Sequence, residues 1–260
     1  IERSNMHYKG NFYETRGTLH NRFNENISIK HYVDDHRAEF IKRGEVECLL
    51  IEQETGYSQL GSIQKLLAED LGLYEEKWTS NGLEKNKENL PNIRQLADDA
   101  RANDTDVTLI GISSRRHSSK LKGIVIVPYQ DSASHHKFAL PTYGSPYRDF
   151  FYNVTYESLY YAYTILGART FCLTHWSVGK YSRLFGFRQS ITTCQAEAIR
   201  HFCNQFKGIR EIIFWDPNSG NYPLSELRRF NDELNEGFHR PIRTEITKKN
   251  GCDFVKIDWT

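Results

Sequence analysis

Two short segments of this chain carry residues suited to holding phosphate oxygens. They are TGYSQLGSIQ, residues 55–64, and HWSVGKYSR, residues 175–183. Each follows an apolar run and sets hydroxyl-bearing residues around glycine. Glycine lets several backbone N–H groups converge on one anion, and a helix amino end adds partial positive charge. In the first segment Gly56 and Gly61 shape the turn, and the amides of Ser62 and Ile63 open the helix that follows. In the second, Ser177, Val178, Gly179 and Lys180 form the turn, with Tyr181 next to it. A single glycine after a strand is usually only a turn. Two such loops on adjacent buried strands would make a pyrophosphate clamp.

The elements that must position these loops are legible in the apolar spacing. NISIKHYV (26–33) alternates as a strand, and EVECLLIEQ (45–53) is the short continuous apolar run of a strand buried on both faces. From Ser62 the period changes to helical through Ile63, Leu66, Leu67 and Leu71, with Gly72 placed to end it. Residues 79–92 are polar and aperiodic and read as a loop, and a short helix is expected around 92–102. DVTLIGIS (106–113), LKGIVIVPY (121–129), ARTFCLTH (168–175) and IREIIFW (209–215) read as strands. Helices are expected from Thr155 to Gly167, over 191–206, and around Leu224–Leu234. Asn250-Gly251 between alternating segments predicts a terminal hairpin.

Strands and helices therefore alternate from residue 45 onward. This predicts an α/β fold of three layers, α/β/α, with a mixed central sheet and a C-terminal β-hairpin. The expected division is an N-terminal extension over 1–26 without definite structure, one domain over 27–240, and the hairpin over 241–260 packed on it.

Composition narrows the functional classes. Hydrophobic residues make up 38% and aromatics 13%, which excludes a disordered chain. Lys+Arg 34 against Asp+Glu 33 leaves a net charge of +1, so no global field recruits nucleic acid or an anionic membrane. No apolar run approaches the roughly 20 residues of a membrane span. The opening residues lack the order of a signal peptide, so a soluble, cytoplasmic or otherwise intracellular protein is expected. The five cysteines show no C-x-x-C spacing and read as buried reduced thiols. Neither a metal nor a resident cofactor is expected. His135-His136, being adjacent, point different ways and suit no metal.

LTHWSVGKYSR (173–183), the long helix after it and IIFWDPNSGNY (212–222) resemble the second half of a macrodomain, the ADP-ribose-binding module. In that family a buried strand leads to a Ser-Thr-Gly-x-Tyr-Gly loop around the distal phosphate and ribose. Ser177, Val178, Gly179, Lys180, Tyr181 and Ser182 stand in its place. Residues 155–173 resemble the preceding helix and strand. Residues 121–130 resemble the family's Tyr-Val-Ile-His-Thr strand, and 47–72 its first binding loop and helix. The likeness, of order and spacing more than identity, covers roughly residues 27–237.

The resemblance implies binding of ADP-ribose or a related adenine nucleotide, with an ADP-ribosylated protein or nucleic acid as a further partner. It assigns phosphate contacts to the amides of Ser62 and Ile63 on one side, and of Val178, Gly179 and Lys180 on the other. Tyr181 would cover the distal ribose. Asp35, or its neighbour Asp34, would accept from the adenine amino group, and Trp215 and Tyr222 would stack on the ring. The chain departs from the family at the first loop, where Ile51, Glu52, Gln53 and Glu54 replace an Asn-Ala-Ala-Asn run. Glu52 or Glu54 would then hold ribose hydroxyls or act as a base for ADP-ribosyl hydrolysis. A carboxylate there also repels phosphate, and Lys180 offsets it.

Two other readings stand beside this one. A macrodomain-like scaffold that has lost its ligand explains the altered first loop. His117-Ser118-Ser119 and His175-Trp176-Ser177 both have the His-x-Ser form of two-histidine phosphoesterases acting on RNA or cyclic phosphates. Arg115, Arg116, Lys120 and Lys122 form a local basic cluster able to touch phosphate.

Overall fold

The continuous apolar runs become the middle of one large sheet. The structure, a computed structural model, describes residues 7–9, 12–33, 39–54, 71–73, 76–79, 82–85, 92, 95–96, 99, 107–112, 119–129, 145–174, 187–216 and 252–257. In chain order the strands are β1 (His7–Lys9), β2 (Phe12–His20), β3 (Asn26–Val33), β4 (Cys48–Glu54), β5 (Glu76–Thr79), β6 (Gly82–Lys85), β7 (Val107–Ile112), β8 (Gly123–Tyr129), β9 (Thr170–Leu173), β10 (Glu211–Asp216) and β11 (Cys252–Ile257). The helices are α1 (Glu39–Lys42), α2 (Ser145–Leu166) and α3 (Phe187–Gln205).

Among the described residues the main sheet has nine strands, in the order β1-β2-β3-β10-β9-β4-β8-β7-β11. The five from β3 to β8 run parallel. β7 is antiparallel to β8, and β11 lies parallel to β7 at the edge. The mixed sheet is the one expected.

Alternation along each strand divides the core into two layers. Cys48 and Leu50 of β4, Phe171 and Leu173 of β9, and Ile212 and Phe214 of β10 join the inner faces of α2 and α3. Leu49, Ile51, Cys172, Ile213 and Trp215 join Phe40 and Ile41 of α1, together with Leu71, Leu73 and Leu96. A sheet covered on both faces needs apolar residues at every position, which is why β4 reads as an unbroken run. Each such Leu, Ile or Phe contributes roughly 1.5–3 kcal/mol by burial. The helix expected over 191–206 is α3, whose Ala198, Ile199, Phe202 and Cys203 are buried. Gly167 ends α2 in the left-handed region at φ 67, and Gly72 has φ 61. The helix expected before Gly72 lies outside the described residues. So does the one expected around 224–234.

Three expectations change. The amino-terminal residues are not without structure: β2 pairs antiparallel with β3 along its length, and β1 adds to β2. Its residues alternate too weakly to announce a strand, and the open edge of β3 supplies the missing order through backbone hydrogen bonds. β5 pairs antiparallel with β6, which places Thr79 and residues 82–85 in strands where a loop over 79–92 was expected. Helix α2 begins at Ser145 rather than near Thr155, and the proline at its second position is tolerated in a first turn. Of the short helix expected around 92–102, Gln95, Leu96 and Asp99 are described, and they are helical. Asn92 Oδ1 accepts from Gln95 N at 3.1 Å, and Asn92 O from Leu96 N at 3.0 Å, which caps it. Of the terminal hairpin, β11 is described. Asn250, Gly251 and the first arm lie outside the described residues.

Candidate functional site

In an open α/β sheet the loops that leave the carboxyl ends of parallel strands are placed to meet a ligand. β4 and β9 are immediate neighbours and parallel, so both leave the sheet at the same edge. They do not end level. Leu173, the last residue of β9, pairs with Leu50 of β4 and Phe214 of β10. β4 continues through Ile51, Glu52, Gln53 and Glu54 in step with β8, roughly 13 Å further at about 3.3 Å per residue. β10 continues through Trp215 and Asp216 in step with β3. The carboxyl edge therefore steps down at β9, between two taller walls.

The exit from β9 is anchored. Thr174 is buried, and its carbonyl accepts from Gln195 Nε2 of α3 at 3.3 Å. Gln195 has no exposed surface, and among the described residues its Oε1 has no hydrogen-bond partner. Sequence reasoning passed over Gln195, although a glutamine between Cys194 and Ala196 in the inner stripe of a helix was a readable signal.

At the level of sequence, no family model and no curated protein matches the chain. Among solved structures it is similar to the Oceanobacillus iheyensis macrodomain with MES bound, with a TM-score of 0.50 and 9% identity, covering 85% of this chain and 96% of that one. A point mutant of the same macrodomain matches with a TM-score of 0.50 and 8% identity, covering 85% of this chain and 98% of the other. The fold is macrodomain-like.

In this macrodomain-like frame the expected site residues fall into three groups. Glu52 and Glu54 are strand residues, registered opposite Val127 and Tyr129 of β8 rather than in a loop. Trp215 has no exposed surface; Phe40 packs edge-on against it at 5.7 Å, and Tyr32 stacks on Phe40 at 4.6 Å. Its ring is a core ring, enclosed where adenine would need an open face. Asp35, Gly56, Gly61, Ser62, Ile63, Ser177, Val178, Gly179, Lys180, Tyr181 and Tyr222 lie outside the described residues. They belong to segments that continue from the carboxyl ends of β3, β4, β9 and β10.

Other ionisable groups serve packing. His201 is buried between α2 and α3, with Tyr152 OH on Nδ1, Gln205 Nε2 at 3.2 Å from Nε2, and Tyr156 against its ring. Burial pushes its pKa below the ordinary histidine value. Cys48, Cys172 and Cys203 are buried, and burial raises the thiol pKa of Cys48 and Cys203, so neither of these two supplies a thiolate. Lys120 is exposed, whereas Lys122 is drawn into an ion pair with Glu47 at 2.9 Å. Arg115 and Arg116 lie outside the described residues. Among the described residues no group of His, Cys, Asp and Glu could hold a metal, and no helix is long and apolar enough to cross a membrane.

Proposed function

We propose that the chain binds ADP-ribose or a related adenine nucleotide in the step of the carboxyl edge at β9. The pyrophosphate lies between the turn after β4 and the turn after β9. The observation that carries this reading is the adjacency of β4 and β9, parallel and unequal in length, which starts both glycine-bearing segments from one edge. The macrodomain-like fold supports it. The amides of Ser62 and Ile63 and those of Val178, Gly179 and Lys180 donate to the two phosphates. Gly56 and Gly61 let the first turn approach, Ser177 opens the second, and Tyr181 covers the distal ribose.

Asp35 accepts from the adenine amino group. Tyr222 stacks on the ring in place of Trp215, which the core occupies. Glu52 or Glu54 holds ribose hydroxyls and would act as the base if the protein hydrolyses an ADP-ribose linkage. An ADP-ribosylated protein presents the same group and is the corresponding partner. The phosphoesterase reading gains nothing from the fold. The segment with His117 leads, through Ser119, into the amino end of β8, while His175 follows the carboxyl end of β9, and these parallel strands flank β4.

Titration calorimetry with ADP-ribose, AMP and NAD tests the proposal. Micromolar binding of ADP-ribose is expected, weakened at least about tenfold, or about 1.4 kcal/mol, in Gly179→Val. Absence of heat with all three nucleotides would leave the ligand-free scaffold standing instead.

A further inference from the structure

The opposite edge of the sheet carries a run of cations with no part in the nucleotide site. We propose that this amino edge docks a single-stranded polynucleotide. The run can be followed contact by contact. Arg22 and Lys207 both lie over the ring of Phe23, at 4.7 and 5.1 Å. The Lys207 carbonyl accepts from Tyr163 OH at 2.8 Å, and the guanidinium of Arg169 sits 3.8 Å over the Tyr163 ring. The Arg169 carbonyl accepts from Arg210 N, Arg210 reaches Glu47 at 2.6 Å, and Glu47 reaches Lys122. These residues stand at the starts of β10, β9, β4 and β8 and in the turn before β3.

Charge and shape both favour a phosphodiester chain. Arg22, Lys122, Arg169, Lys207 and Arg210 outnumber the carboxylates of Glu25 and Glu47 that lie among them, and Lys30 and Glu211 pair at 3.2 Å. Glu47 is buried, while the Arg210 side chain is 63% exposed, so the positive ends face outward. From β3 to β8 the edge runs about 19 Å at about 4.8 Å per strand. That spans several nucleotides. From the turn before β3 through β10 and β9 to β8 the cations follow one sheet edge, the path of one backbone. The guanidiniums of Arg22 and Arg169 each lie over an aromatic ring, and guanidinium and ring together suit contact with an unpaired base. Bases inside a duplex have no open face to give.

Fluorescence anisotropy of the full chain with a labelled oligothymidylate tests this. If the five cations each meet one phosphate, affinity falls about a hundredfold between 50 and 200 mM salt. In the Arg22→Gln, Lys207→Gln double variant, both positions exposed, the salt effect falls to about twentyfold while the melting temperature is unchanged. A blunt duplex of the same length binds more weakly, and saturating ADP-ribose does not compete. Three results would each overturn the proposal: no binding at 50 mM salt, an unaltered salt slope in the double variant, or equal affinity for the duplex. Competition by ADP-ribose would also overturn it, whereas failure of ADP-ribose to bind leaves it untouched.

Discussion

The two edges of the central sheet solve different problems. At the amino edge the parallel strands are tied together by one carboxylate. Glu47 accepts from Arg169 N at 3.0 Å, Thr170 Oγ1 at 3.3 Å, Arg210 at 2.6 Å and Lys122 at 2.9 Å, which joins β4 to β9, β10 and β8. At the carboxyl edge the same strands end at unequal heights, with a single described tether, Gln195 to Thr174. The difference teaches where stability and binding are separated. An edge locked by charge-assisted hydrogen bonds lets the other edge give up strand pairing, and the proposed ligand would draw on backbone N–H groups there.

Damage to the locked edge should therefore dominate stability. Glu47→Gln removes the charge-assisted hydrogen bonds that a buried carboxylate receives from Arg210 and Lys122 and is expected to lower unfolding free energy by about 2 kcal/mol in urea titrations. Ligand affinity of the folded fraction stays unchanged. Next comes Gly123→Ala at the start of β8, where a Cβ would meet Ile110 O at 2.5 Å and Leu166 Cδ1 at 2.4 Å. A backbone oxygen cannot yield as a side chain can, so a loss of about 2 kcal/mol is expected.

The acid limb of stability sharpens the comparison further. Burial opposes ionisation of Glu47, but Lys122, the Arg169 amide and Arg210 outweigh it, holding its pKa below the ordinary carboxylate value of 4.5. The unfolded chain then takes up a proton that the folded chain refuses. The Glu47 contribution is complete above about pH 4.5 and is lost as pH falls through the lower folded value. His201, lowered by burial from 6.5, acts earlier: its contribution begins to fall as pH drops below about 6.5. Melting temperatures across pH should show both declines, the lower one missing in Glu47→Gln and the upper one in His201→Gln.

The smallest stability effect belongs to the open edge. Gln195→Leu removes one neutral hydrogen bond and an unpartnered oxygen, so a change of about 1 kcal/mol or less is expected. Because it releases the start of the second loop, ADP-ribose affinity should fall nonetheless. A large stability loss with unchanged affinity would reverse the division of labour drawn between the edges.

The order of elements, the mixed sheet and the buried strands were written in the chain, because hydrophobic burial on two faces demands a continuous apolar run wherever β4, β8, β9 and β10 pass. The glycines that end α2 and precede Leu73 were equally local signals, since a left-handed residue must be cheap in backbone strain. What sequence could not announce was every feature that depends on a distant partner. β2 is a strand because β3 offers an edge. Trp215 is a core ring because Phe40 fills its open side. Glu47 is a structural anion because Arg210 and Lys122 arrive from elements far along the chain. The unequal ends of β4 and β9, on which the proposed site rests, exist only once register is set, and register is a property of pairs of strands that no single segment contains.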